Sequence, residues 1–60
     1  MFEFTLYPSG DKVTVNPNFI TYIKYEDEFN TQIGTSGGTH MIVEETYDKV
    51  SAAFRDYIYR

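Results

Sequence analysis

The chain of 60 residues contains no cysteine and carries a formal net charge of −4 at pH 7. Its length allows one small domain over residues 1–60, and its composition excludes disulfides and thiolate zinc sites. The cations are scattered rather than clustered, which disfavours nucleic-acid binding; they are Lys12, Lys24, Lys49, Arg55 and Arg60. Because the N-terminal segment has neither a basic start nor a long apolar run, we expect no signal peptide, no membrane insertion and a cytoplasmic location.

The small size of the chain also limits its core. A chain of this length buries only about 60% of the surface that its unfolded form exposes, so its stability margin is thin. We therefore expect self-association, for example as a homodimer, or binding to a larger partner. The six Tyr and five Phe residues supply large buried areas, and tyrosines in excess of the core indicate a contact surface.

The start of the chain predicts a β-hairpin. FEFTLY (2–7) alternates, with its two phenylalanines and its leucine on one face, and we predict a strand over residues 2–7. PSGD (8–11) is a turn, since its proline presets one backbone angle and its glycine tolerates a positive φ. Alternation resumes in KVTV and predicts a second strand over 12–15.

A proline then separates this hairpin from a third strand. Asn16-Pro17-Asn18 interrupts the ladder because proline has no N–H to donate. FITYIKY predicts a strand over 19–25 with apolar residues on both faces, which indicates burial on both sides or a partner on one side. One face would carry Phe19, Ile23 and Tyr25, and the other face Ile20 and Tyr22.

An acidic turn and a second hairpin follow. The three consecutive acids of EDEFN (26–30) are typical of a solvated turn, and the alternation in FNTQIGT predicts a fourth strand over 29–34. TSGG (35–38) is a hairpin signal. THMIV predicts a fifth strand over 39–43.

From about residue 44 the apolar period changes from two to about 3.6, which predicts a helix over 46–58. Thr46 is a suitable N-cap. The apolar stripe of this helix consists of Tyr47, Val50, Ala53, Phe54, Tyr57 and Ile58. The elements together predict an α+β fold: a small antiparallel β-meander of about five short strands, in a curled sheet or partly open barrel, with one C-terminal α-helix. A flatter sheet would need a dimer to cover the third strand.

Catalysis and metal binding lack most of the residues that they need. His40 lies near Glu44, Glu45 and Asp48, but zinc motifs pair two histidines, and carboxylates also suit the first turn of a helix. The acids Glu26–Glu28 lack the spacing of an EF-hand. No cysteine nucleophile exists, and no second acid–base group is placed to activate a serine beside His40. We predict a protein that is not an enzyme and has no cofactor.

The candidate partner-binding residues lie at the C-terminus and on the third strand. Tyr59 falls off the helical stripe beside Arg60, and exposed Tyr and Arg side chains are typical of protein interfaces. The alternative is a solvated C-terminal end. The candidate set is Ile20, Tyr22, Tyr59 and Arg60.

The order of motifs resembles a known family. The chain contains V-x-V-N-P-N-x-I-x-x-I, then T-x-I, a glycine turn and I-V-x-E-T-x-x-x-V. Over residues 5–50 this pattern resembles the small flagellar proteins of the FlbD/SwrD type. Members of that family are non-enzymatic and in some cases support motor output, so the resemblance implies a flagellar accessory factor. FEFTLYPSGD and EDEFN depart from the family's basic, glycine-containing start and from its Pro-Asp before the fourth strand.

These observations favour a small non-catalytic module that binds another protein. The alternative is an acidic inhibitor of a host protein, encoded by a bacteriophage or a mobile element. In that case the acids of residues 26–28 and 44–48 would imitate a row of phosphates. The two functions differ in salt dependence, because charge-dominated binding weakens as salt rises and an apolar interface survives moderate salt.

Overall fold

A computed structural model describes residues 1–59 of the chain, which form five short strands, one 3₁₀ helix and one C-terminal helix. The strands are β1 (Phe2–Thr5), β2 (Lys12–Val15), β3 (Ile20–Tyr25), β4 (Thr31–Thr35) and β5 (His40–Val43), and the helix is α1 (Tyr47–Ile58). β1 and β2 form one antiparallel sheet, and β3, β4 and β5 form a second in that order. The predicted α+β class with five short strands and a C-terminal helix is confirmed.

Side chains that hydrogen-bond to the nearby backbone move two strand boundaries inward from the predicted ones. Asn16 accepts the N–H of Asn18, and a 3₁₀ helix over Pro17–Phe19 follows, so β3 begins at Ile20 rather than at residue 19. The carboxylate of Asp27 accepts the N–H of Phe29, which produces a bend. β4 consequently begins at Thr31 rather than at residue 29.

The first predicted strand also ends early. Regular pairing of β1 with β2 stops at Thr5, and Leu6 forms a single antiparallel bridge with Val43 of β5. Residues 7–9 then turn, and the turn closes when the N–H of Gly10, at φ 79°, donates to the carbonyl of Leu6. Glycine adopts this positive φ at little cost.

The two sheets are joined by contacts that we name the β1–β5 seam, in which residues 5–7 run antiparallel to residues 42–44. The N–H of Tyr7 donates to the carbonyl of Ile42 (2.9 Å), and the N–H of Glu44 donates to the carbonyl of Thr5 (2.8 Å). The N–H of Thr5 in turn donates to Oε1 of Glu45 (2.9 Å). The seam therefore satisfies both the backbone N–H and the backbone carbonyl of Thr5, a residue that is only 9% exposed.

Every element except β3 and the 3₁₀ helix contributes one buried apolar residue to the core cluster. These residues are Phe4, Val15, Ile33, Val43 and Val50. β3 contributes only the half-buried Ile20 and Ile23, which pack against that cluster. β3 therefore lies at the margin of the core.

Helix α1 is held at its start by a cap and near its end by contacts with aromatic and polar side chains. Thr46 accepts the N–H of Lys49, as predicted for an N-cap. The ring of Phe2 packs edge-on against Phe54 and Tyr57, at centroid distances of 5.3 and 5.9 Å. The hydroxyl of Tyr57 donates to Oδ1 of Asn18 (2.6 Å). None of the helical structure in residues 1–59 has the length and apolar character needed to cross a bilayer.

The seam generates a stability prediction for two adjacent carboxylates. Glu45→Ala removes the acceptor of a buried N–H on Thr5. We expect it to lower the free energy of unfolding by about 1–3 kcal/mol, measured by urea denaturation. The matched control is Glu44→Ala, which removes an exposed carboxylate and should change that energy by less than about 0.5 kcal/mol. Equal effects of the two substitutions would contradict the role given to Glu45.

Candidate functional site

An apolar groove of about 290 Å³ lies between β3 and the C-terminal half of α1. We name it the β3–α1 groove. Its lining residues are Ile20, Thr21, Tyr22, Ile23, Phe54 and Ile58. Two of the predicted partner-binding residues, Ile20 and Tyr22, therefore lie in one concave surface.

A bulge in β3 shapes the floor of the groove. Ile20 lies opposite Thr35 and Tyr22 lies opposite Gly34, so the register shifts at Thr21, which has no partner in β4. The extra residue interrupts the regular alternation of side chains between the two faces of the strand. Ile20 is half-buried against the core together with Ile23, so the predicted division that placed these two isoleucines on opposite faces is wrong. Only part of each isoleucine remains available to the groove.

The ring of Tyr22 forms a wall of the groove and lies against Gly34 of the neighbouring strand. A Cβ atom at Gly34 would overlap the ring, so the glycine is what allows the ring to lie flat on the sheet. The hydroxyl of Tyr22 accepts a hydrogen bond from Nε2 of Gln32 (2.8 Å). Tyr22 is still 41% exposed. It is thus an aromatic side chain that is held in place and yet remains accessible.

The helix supplies the opposite wall. Phe54 is half-buried, whereas Ile58 is 65% exposed and Tyr59 is 80% exposed. We expected Ile58 to pack in the core as part of the apolar stripe, and this is wrong, because Ile58 lines the open groove beside β3 and remains largely exposed. Tyr59 is the C-cap of α1 and follows Ile58 directly, while the fourth candidate residue, Arg60, lies outside the described residues. Phe54 and Ile58 were not among the predicted partner-binding residues. Their four-residue spacing at the end of the apolar stripe could have indicated that they share one face of the helix.

A second concavity, of about 450 Å³, collects carboxylates from both acidic segments. Its lining residues are Tyr7, Asp27, Phe29, Asn30 and Glu44. Asn30 is buried, and its side-chain amide donates to the carbonyl of Val43, which brings the turn after β3 close to the end of β5. Asp27 and Glu44 consequently share one surface although they lie 17 positions apart in the chain.

The crowding of His40 with three acids in the sequence does not produce a cluster in space. His40 is exposed on β5, Glu45 turns inward to Thr5, and Asp48 lies in the first turn of α1. Within residues 1–59 no three His, Asp or Glu side chains come together as a metal ion would require.

No protein-family model, curated protein or solved structure matches the chain. The resemblance to the FlbD/SwrD type consequently stays a prediction. The β3–α1 groove is the feature on which a functional inference rests.

The contact between Tyr22 and Gly34 predicts a strong coupling between these two residues. Gly34→Ala forces the ring of Tyr22 away, and we expect a loss of about 1–3 kcal/mol in the free energy of unfolding. In a Tyr22→Ala background the same substitution has no ring to displace and should cost much less. A double-mutant cycle by urea denaturation measures the difference. Additive effects would show that the ring does not lie on the glycine in solution.

Proposed function

We propose that this protein is a small non-catalytic module that binds another protein through the β3–α1 groove. The observation that carries the proposal is an apolar groove beside an open strand edge. β3 pairs with β4 on one side, and no strand of residues 1–59 pairs with its other side. Open edges and exposed apolar surface are features that protein partners use.

The chemistry of the groove favours a binding surface over an active site. Its lining consists of apolar and aromatic side chains together with the hydroxyl groups of Thr21 and Tyr22, and the Tyr22 hydroxyl is already engaged by Gln32. Active sites contain several convergent polar or titratable groups that touch the reacting atoms. A groove lined in this way supplies contact area and shape.

The resemblance implies a particular context for this partner. In the proposed flagellar context the partner is a component of the flagellar apparatus, and the module acts on it by binding alone. Location of the tagged chain in a bacterial cell that carries the gene would test this part of the proposal separately from the groove. Flagellar location would support it, and uniform distribution would oppose it.

The acidic-inhibitor function is a second candidate, and one observation favours it. Asp27 and Glu44 line the same concavity, although they come from different acidic segments. In that function the second concavity, rather than the β3–α1 groove, is the contact surface. Binding would then be lost as salt rises, whereas binding through the groove would persist at moderate salt.

Substitutions in the groove test the proposal directly. Ile58→Asp places a charge on the exposed wall of the groove, and Tyr22→Ala removes its aromatic face. Captured partners are identified by mass spectrometry for the wild-type chain and for each variant. We expect both variants to reduce recovery of the partner more than tenfold, since central apolar contacts in an interface contribute about 2 kcal/mol or more.

The matched control is Tyr7→Ala, which removes a 54% exposed aromatic side chain from the second concavity instead. Circular dichroism confirms that each variant is folded. A partner that the control retains and both groove variants lose supports the proposal. A partner that the groove variants retain and Tyr7→Ala loses in a salt-dependent way supports the inhibitor function instead.

A further inference from the structure

We infer that the occupant of the groove is an extended basic segment of the partner, which adds to the open edge of β3. Its apolar side chains enter the groove, and its Lys or Arg side chains lie beside Glu26 and Glu28. The inference rests on the proposed function and gives the partner a definite chemistry.

The position of the groove along β3 favours an extended segment. An edge strand presents N–H and C=O groups that an added strand can pair, and its side chains then alternate between the groove and the solvent. The groove follows β3 from Ile20 to Ile23, and the strand continues to Tyr25. At about 3.3 Å per residue, roughly six residues of partner would cover β3 from the groove to the acidic turn.

The charge along β3 is strongly asymmetric. The segment before it, Asn16–Phe19, has no charged residue, whereas three exposed carboxylates, Glu26–Glu28, follow it directly. Within residues 16–28, Lys24 is the one cation and these three acids are the only anions. Asp27 is already engaged by the N–H of Phe29, so Glu26 and Glu28 are the groups best placed to receive a cation from a neighbouring strand.

The same charge argues against a second copy of this chain as the occupant. Each copy carries a net charge of −4, and like charges oppose association unless the contact pairs them with opposite ones. A basic segment instead gains attraction at the acidic turn and apolar burial in the groove. Charge complementarity therefore selects a cationic partner.

Binding of synthetic peptides to the intact chain tests this inference. The probe alternates Val and Thr and has Lys at both ends, so that either strand direction brings a cation to the turn. Its counterpart carries Glu in place of Lys. By fluorescence anisotropy at low salt, we expect the Lys peptide to bind at least roughly tenfold more tightly than the Glu peptide. Equal affinities would overturn the charge argument.

Two pairs of variants locate the contact. Glu26→Gln combined with Glu28→Gln should weaken the Lys peptide roughly fivefold and reduce its salt dependence, while the control Glu3→Gln on β1 has no effect. Thr21→Lys places a cation in the groove and should abolish binding, whereas the control Thr14→Lys alters an exposed position of β2 and should not. Because both threonines are exposed, the variants should remain folded, which circular dichroism checks.

Amide hydrogen exchange distinguishes strand addition from attraction at the turn alone. Protection of β3 amides in the presence of the Lys peptide supports the inference, and protection confined to residues 26–30 overturns it. A dimer that Thr21→Lys dissociates also overturns it, in favour of a second copy.

If Ile58→Asp abolishes capture of the natural partner while the two peptides bind equally, the proposed function stands and this inference fails. If Ile58→Asp leaves capture intact, the proposed function itself fails.

Discussion

The peptide unit of Thr5 is the point at which the two sheets become one fold. Its carbonyl accepts the N–H of Glu44, and its own N–H donates to the carboxylate of Glu45. The hydroxyl of Thr31 adds a third link by donating to the carbonyl of Glu45 (2.8 Å). Because residues 44–46 connect β5 to α1, these bonds hold the first hairpin, the second sheet and the helix start together. Each isolated hairpin would be marginally stable in water, so the small core depends on this junction.

The same junction places β2 and β3 at the two ends of one series of strands. With β1 joined to β5, the strands follow one another in space from β2 through β1, β5 and β4 to β3. β3 therefore lies at one end of this series, and its one ladder faces β4. The helix covers part of it, and the space that remains between them is the groove. The proposed binding surface is thus a consequence of how the chain closes its core.

Residue pattern alone predicts the class of the fold, because the change of apolar period near residue 44 and the glycine turns are local signals. Gly10 and Gly38 do adopt positive φ, at 79° and 82°, as the turn chemistry of their segments indicates. The details of the groove depend on non-local contacts. The bulge at Thr21 inserts a residue that alternation cannot reveal, and the flat position of Tyr22 depends on a glycine twelve positions away in another strand.

The roles of the acidic residues also depend on non-local contacts that the residue pattern does not reveal. Some carboxylates stabilise the fold, and others remain as exposed surface charge. Glu44 and Glu45 are neighbours in the chain, yet one faces solvent and the other turns inward, because the N–H that Glu45 accepts lies 40 positions away. A carboxylate used in this way stabilises the fold by accepting a buried backbone N–H. The turn at Glu26–Glu28 retains its exposed charge at the end of the open strand. In the proposed complex, charge would act over a Debye length of about 8 Å and select which partners approach, whereas the groove would act only on contact and supply the apolar burial that retains them. Placing the two features along one strand edge lets a single extended segment use both.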